Sequence, residues 1–278
     1  MFKILFPSSL MDSNEVDLAL KNEYNAAIRA GFDVLLFDQE QWYMYQVLKM
    51  NITNMGEEPI KVLFRGFRMQ PCAYREFSVQ LKYLGYHLLI EPNEYENMYA
   101  FQKMYSTLRE DCVPIIRFPM DTLIDVEFIK HKLGKFMIKD NTICVRECGF
   151  PAFFDQSTTQ EEFDSWITRL SKYHKDMSTG ELYAEKYYDD IQNVCRVFYY
   201  KNMPLYMTND SVQPPVELIH KYEVLNSPFF TIDFAQFENG TWKIIDCKDA
   251  QISLVSNEPE KLYYSLSNNS GNQNHLGF

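Results

Sequence analysis

The chain reads as an α/β protein in two parts, and three observations carry that reading. Over the first third, short β-prone runs alternate with amphipathic helical runs, the pattern of a parallel sheet with helices on its faces. From about residue 111 the β-rich runs dominate and helices are fewer, which points to an α+β second part. The 278 residues include 21 Phe and 19 Tyr within a 46% hydrophobic composition, enough apolar mass for one sizeable core or two modest ones. The expected division is an N-terminal α/β domain over residues 1–110 and a second domain over 111–278 with a flexible polar tail from Asn268.

The elements follow in order. KILFPS opens as a strand, VDLALKNEYNAAIRAG reads as a helix stopped by Gly31, and DVLLFD and IKVLFRG are strands. CAYREFSVQLKYLG has helical apolar spacing and again stops at a glycine. HLLIEP is a strand, and YENMYAFQKMYSTLRE reads as one helix. In the second part CVPIIRFP and KFMIKDN are strands flanking a short helix near Thr122–His131. QEEFDSWITRLSKYHK is a helix with Thr158 or Thr159 as its cap. ELYAEKYY and VCRVFYYKNMPLYM are strands, the second bending at Lys201-Asn202. VELIHKYEVL is a helix entered from Pro-Pro, and FFTIDFAQFENGTWKIIDCKDAQ is a hairpin.

That hairpin poses the functional question, because an otherwise apolar β-run carries Asp233, Asp246 and Asp249. A type I′ turn at Asn239-Gly240 would set Phe237 across from Trp242, Ala235 from Ile244 and Asp233 from Asp246. Opposed carboxylates beside apolar neighbours destabilise a sheet unless something offsets their repulsion. A divalent cation does so, above all hard Mg²⁺, which shares its shell with substrate phosphates. Asp249, just beyond the strand, is placed for a turn to bring it to the same ion. The competing reading is an acidic end that simply faces solvent.

A nucleotide needs cations too. Lys139 closes the strand KFMIK, where it either snorkels to solvent or reaches a phosphate. Arg196 stands inside VCRVFYY, where its guanidinium fork needs an anion, either a phosphate or a protein carboxylate. Arg65 and Arg68 lie at a strand end, where α/β sheets line their ligand crevice. Glu185 in ELYAEKYY is either an acceptor for a ribose hydroxyl or a strand-edge charge.

Other chemistries find no footing. A formal charge of −11 disfavours a nucleic-acid partner but leaves a phosphorylated small molecule open. The start has too short an apolar run for a signal peptide, and no stretch approaches the length of a membrane span, which points to a cytoplasmic protein without a membrane partner. The six cysteines are scattered. Cys144 and Cys148, with three residues between them, would be half a zinc site at most. No P-loop, GxGxxG, nucleophile elbow or HExxH occurs, and KDMSTGE, with Gly180 alone, is a weak phosphate loop.

Taken together, these stretches resemble the ATP-grasp superfamily, in particular the clade named for two arginines and one lysine. The last hairpin is similar to a "D-x-A … G-x-W-x-x-x-E-x-x-D-x-Q-x-S" pattern, matched by Asp233, Gly240, Trp242, Asp249, Gln251 and Ser253, with Asp246 where Glu is usual. RGFRMQPCAYREF resembles the clade's "RGW" stretch, with Arg65 at its characteristic arginine and Phe67 for the Trp. KFMIKD, LYAEKYY and VCRVFYYKN resemble the phosphate-lysine strand, the adenine–ribose linker strand and the second-arginine strand, in that order.

The resemblance implies an ATP-grasp domain behind an N-terminal α/β domain, with ATP pinched between two β-containing lobes. It implies a ligase that uses Mg-ATP to activate a small-molecule or peptide carboxylate as an acylphosphate for an amine or thiol. By residue, it implies Asp246, Asp233 and Asp249 at the Mg²⁺ and phosphate region, and Lys139, Arg196 and Glu185 on the nucleotide. Arg146 would substitute for the Lys-Ser pair missing from NTICVREC, and Arg65 would orient the acyl group. Val194, where relatives often carry Glu, keeps open the alternative of a catalytically weakened nucleotide-binding or protein-interaction module.

Overall fold

The computed structural model describes residues 2–54, 56, 58–119, 122–140, 150–173, 181–255 and 257–270. The chain clusters into two compact units. The first comprises Met1–Met98, Cys195–Ile232 and Lys248–Phe278, and the second Tyr99–Val194 and Asp233–Cys247. This is not the division at residue 110 that the sequence suggested. The cause is local: three strands of one sheet have residues in both units, so the chain passes from one to the other inside regular structure.

The first unit begins with β1 (Lys3–Pro7), β2 (Val34–Phe37), β3 (Ile60–Phe64) and β4 (Tyr86–Leu88), in the order β2-β1-β3-β4 and parallel throughout. Ile4, Leu5 and Phe6 are all fully buried, as a parallel strand covered on both faces requires. The expected first helix starts as a 3₁₀ turn, Leu18–Leu20, capped by Asp17, and continues as α1 (Lys21–Arg29). The sequence reading left out α2 (Gln39–Tyr45), where the Asp38 carboxylate caps the Gln41 N–H. α3 (Pro71–Tyr83) has proline in its first turn. The run read as one helix over 95–110 is two, α4 (Pro92–Met98) and α5 (Phe101–Leu108), because Ala100 is extended.

In the second unit β5 (Ile115–Pro119), β6 (Phe136–Asp140) and β7 (Glu181–Lys186) form an antiparallel sheet in the order β5-β7-β6. Phe118, Phe136, Ile138, Leu182 and Ala184 point to one side. There they pack on Val126, Ile129 and Leu133 of α6 (Val126–Leu133) and on Phe163, Ile167 and Leu170 of α7 (Gln160–Tyr173). Thr159 caps α7 as expected, accepting from the Glu162 N–H. By alternation the other side of the sheet carries Ile115, Arg117, Met137, Lys139, Tyr183 and Glu185.

The remaining sheet has the order β11-β10-β8-β9, from β8 (Ile191–Tyr200), β9 (Met203–Met207), β10 (Phe229–Phe237) and β11 (Trp242–Asp249). The type I′ geometry expected at Asn239-Gly240 forms instead where only a bend was expected, at Lys201-Asn202. Lys201 and Asn202, both at positive φ, join Tyr200 to its partner Met203 in a two-residue turn of the I′ kind. At Asn239-Gly240 only Gly240 has positive φ. Its N–H donates to the Phe237 carbonyl, and the Phe237 N–H donates to the Thr241 carbonyl. This is a three-residue loop closed by a glycine bulge. The extra residue puts Phe237 opposite Thr241, not Trp242, and Ile245, not Ile244, packs with Ala235 and Phe237. The register from which Asp233 and Asp246 were placed directly opposite each other is therefore not the one this loop sets.

α8 (Val216–Lys221) is shorter than its sequence pattern, and α9 (Pro259–Asn269), also left out of the sequence reading, extends past the start of the expected tail.

Candidate functional site

In the second unit the side of the sheet β5-β7-β6 away from α6 and α7 brings together two residues singled out from the sequence. Lys139 Nζ donates to Glu185 Oε1 at 2.7 Å and lies 3.5 Å from the Ile245 carbonyl. Their register explains the pairing: Lys139 sits opposite Tyr183 and Met137 opposite Glu185, so lysine and glutamate are diagonal neighbours on one face. The lysine side chain is 28% exposed and the glutamate 5%. Burial pushes the Glu185 carboxyl up, Lys139 pulls it back, and Asp246 raises it again. Glu185 Oε2 is buried and has no hydrogen-bond partner. The pair is a cation with a way out and an acceptor with one oxygen unspent.

Asp246 and Asp233, on adjacent strands β11 and β10, belong to the same unit. Asp233 is buried, and Asp246 Oδ1 accepts from the Cys247 N–H at 2.9 Å. Asp246 also acts electrostatically on both Glu185 and Cys112, and the Cys112 thiol is pushed up mainly by burial. Among the described residues no group of three or more His, Cys, Asp or Glu is assembled to hold a metal. Mg²⁺ does not need one, since one or two carboxylates with water and substrate phosphates suffice. Asp233 and Asp246, both hard oxygen donors, fit that requirement.

Asp249 is placed otherwise. It ends β11 inside the first unit, fully buried, and its Oδ1 caps the following 3₁₀ turn by accepting from the Gln251 N–H at 2.8 Å. Burial pushes its carboxyl up to about 7, against the bond from Gln251 and the charges of Arg65 and Arg68, and Oδ2 has no partner. The residues after it are held as firmly. The Gly66 N–H donates to the Gln251 carbonyl, the Gln251 amide to Tyr74 Oη, and Ser253 Oγ to the Asp249 carbonyl. A Cβ on Gly66 would meet the Phe64 ring at 2.6 Å, so glycine is required where the backbone approaches this turn.

Arg65 is the centre of that arrangement and is itself fully buried. Its guanidinium donates to Glu23 through Nε and Nη2, to Tyr263 Oη at 3.3 Å, to the Ser253 carbonyl at 2.9 Å and to the Ala250 carbonyl. Burial opposes its charge, but Glu23 and Tyr263 together outweigh that and hold it above its ordinary value. Glu23 completes the network by accepting from Tyr263 Oη and from the Val255 N–H, both at 2.8 Å. The sequence reading aimed Arg65 at a substrate, whereas its donors here go to protein groups. Glu23, Tyr74 and Tyr263 were missed because each looks like an ordinary helix residue until the fold brings it to Arg65.

Arg196 is half-buried on β8 in the first unit, with Nη1 3.5 Å from the Leu254 carbonyl. Arg146, Cys144, Cys148 and Gly180 lie outside the described residues. No described helix is long and apolar enough to cross a membrane.

Residues 193–266 match a family described as an ATP-grasp domain, family 3 of the clade named for two arginines and one lysine. No curated protein matches the chain by sequence. Among solved structures, the D-cycloserine synthetase DcsG superposes with a TM-score of 0.63 at 8% identity, covering 96% of this chain and 99% of that one. The D-alanyl-alanine synthetase A of Vibrio cholerae O1 biovar eltor gives 0.59 at 12% identity, over 96% and 98%. The macrocyclase MdnC of Microcystis aeruginosa, bound with precursor peptide MdnA, gives 0.59 at 10% identity, over 96% and 98%. The fold is that of ATP-grasp ligases over nearly the whole chain.

Proposed function

We propose that this chain, an ATP-grasp fold whose residues 193–266 match the two-arginine, one-lysine clade, is an ATP- and Mg²⁺-dependent ligase that activates a carboxylate for attack by an amine. The carrying observation is the Lys139–Glu185 pair on the side of β5-β7-β6 away from α6 and α7, with its unspent buried oxygen. Lys139 would bind a nucleotide phosphate, and Glu185 would hold the lysine in place while accepting from the nucleoside. Asp233 and Asp246 would hold Mg²⁺, which neutralises phosphate charge as the γ-phosphoryl group transfers. Arg196 and Arg146 would supply further positive charge for the phosphates.

In the reaction a substrate carboxylate oxygen attacks the γ-phosphorus and ADP leaves. The amine then attacks the acyl carbon, inorganic phosphate departs and the nitrogen loses a proton. No protein nucleophile is required. Arg65 serves this chemistry as a positioning residue, through the Ala250 and Ser253 carbonyls, and Asp249 shares in holding that turn. The D-alanyl-alanine synthetase, MdnC bound with its precursor peptide, and PsnB complexed with a minimal precursor, Mg and ADP support an amino-acid or peptide carboxylate with Mg-ATP.

The test is ADP formation with Mg-ATP and a panel of amino acids and short peptides. Asp246→Ala should lower turnover at least ~100-fold while leaving the unfolding temperature unchanged. Absence of both ADP formation and Mg-dependent protection by ATP against heat would refute the reading. Exposed Val194, 48% accessible on β8, favours a second reading as a nucleotide-binding module, distinguished by heat protection without turnover.

A further inference from the structure

α2 is anchored on α3 by Trp42, whose ring lies 4.9 Å from that of Phe77, and it turns Met44 and Tyr45 out to solvent, 68% and 65% exposed. Past α2 the chain runs along the C-terminal half of α3. The Leu48 N–H donates to Gln80 Oε1 and Gln80 Nε2 to the Gln46 carbonyl, both at 2.8 Å. Further on, Tyr86 Oη donates to the Ile52 carbonyl and the Asn54 N–H to the Leu84 carbonyl. These bonds set exposed Val47 and Ile52 beside exposed Val79 and Tyr83, which flank Gln80 on α3 within one helical turn. Tyr83 is 87% exposed.

Single exposed apolar side chains are ordinary, but a group of them side by side marks an interaction surface. Residues 41–54 hold one charged residue, Lys49, where the chain's 23% would put about three. Tyrosine, methionine and aliphatic residues with few charges are the composition of an interface core. Charge also decides what fits this face. The whole chain carries −11, so two copies repel over most of their surfaces. Over α2, residues 46–54 and Glu76–Tyr83 the balance is zero, with Glu40 and Glu76 against Lys49 and Lys82. In a two-fold pairing a residue near the axis meets its own copy, where a charge would oppose itself and Tyr45, Gln46 and Val47 do not. A strongly basic partner finds no excess of acid here, and an anionic lipid surface no excess of base.

We propose that this face, centred on Tyr45, Val47 and Tyr83, joins two copies of the chain in an isologous dimer. None of these residues takes part in the proposed ligase chemistry.

Sedimentation equilibrium of the whole chain over a wide range of concentration tests it. The unsubstituted protein should approach twice the chain mass as concentration rises. Tyr45→Glu and Tyr83→Glu, which add like charges to both sides of a two-fold interface, should each weaken dimerisation at least ~10-fold. Val224→Glu, at an exposed position just after α8, adds the same charge elsewhere and should leave the dissociation constant unchanged. A monomer at every concentration overturns the proposal. So does a dimer that Tyr45→Glu and Tyr83→Glu leave as tight as the parent's, since it forms through another face. Equal weakening by Val224→Glu, an effect of net charge alone, overturns it as well. Circular dichroism checks that each variant is folded, and should Tyr45→Glu or Tyr83→Glu not be, Met44→Glu is read by the same dissociation constant.

Discussion

Glu23 lies on α1, 42 positions before Arg65 in the chain, yet the two form the most deeply buried ion pair described, with side chains 3% and 0% exposed. Sequence alone flagged the arginine, because it stands at a strand end, where α/β sheets line their ligand crevice. It could not find the glutamate, whose position in an amphipathic helix reads as a solvated face. Removing one partner of such a pair leaves the other charged and dry, which is far costlier than losing an exposed salt bridge. Glu23→Ala should therefore lower stability by about 3–5 kcal/mol, measured by urea unfolding. Glu23→Gln, which keeps acceptors for Tyr263 and the Val255 amide, should cost less. A loss below about 1 kcal/mol for the alanine variant would mean that Arg65 gains water or another anion.

At the scale of elements, the parallel sheet, the α6/α7-covered sheet and the late hairpins were all legible, because apolar alternation and glycine stops record them directly. What was not legible was turn geometry. Asn239-Gly240 is the stronger dipeptide signal, but the two-residue turn forms at Lys201-Asn202, and a bulge forms at Gly240. The difference moves by one position which side chains oppose each other next to the turn. α2 was missed because its exposed Tyr43, Met44 and Tyr45 break helical apolar spacing. The site itself was half readable. Lys139 and Glu185 do meet, while the Asp249–Ser253 motif is spent on internal hydrogen bonds that no spacing reveals. Since a Cβ at Gly240 would have open space around it, its φ of +80° alone sets the cost of substitution. Gly240→Val should destabilise by about 1–2 kcal/mol, and Asn202→Gly should be nearly neutral. Equal melting temperatures for Gly240→Val and the parent would show that the loop can re-form without its bulge.

For the molecule as a whole, the raised carboxyls give stability a definite slope with pH. Asp249 stands near 7 in the folded chain, against an ordinary value of 3.8, because it is fully buried. Between these values the folded state holds a proton that the unfolded state has lost. Stability must therefore fall as pH rises from about 4 to about 7 and level off above that. At 1.36 kcal/mol per pH unit, the full span is worth roughly 4 kcal/mol for this group. Glu185, also raised by burial, acts in the same direction, as does the self-repulsion of a chain already at −11 near neutrality. Acidic groups held ionised by partners, such as Glu260 beside Arg29, act in the opposite sense at lower pH but are exposed and weak. Unfolding free energies measured in steps from pH 5 to pH 8 should thus decline toward neutrality. Asp249→Asn keeps an oxygen for the Gln251 N–H but cannot ionise, so it should flatten most of that decline and stabilise the protein at pH 8. If the variant shows the parent's slope unchanged, the Asp249 carboxyl is not the group that resists ionisation, and its buried oxygen has a partner in solution.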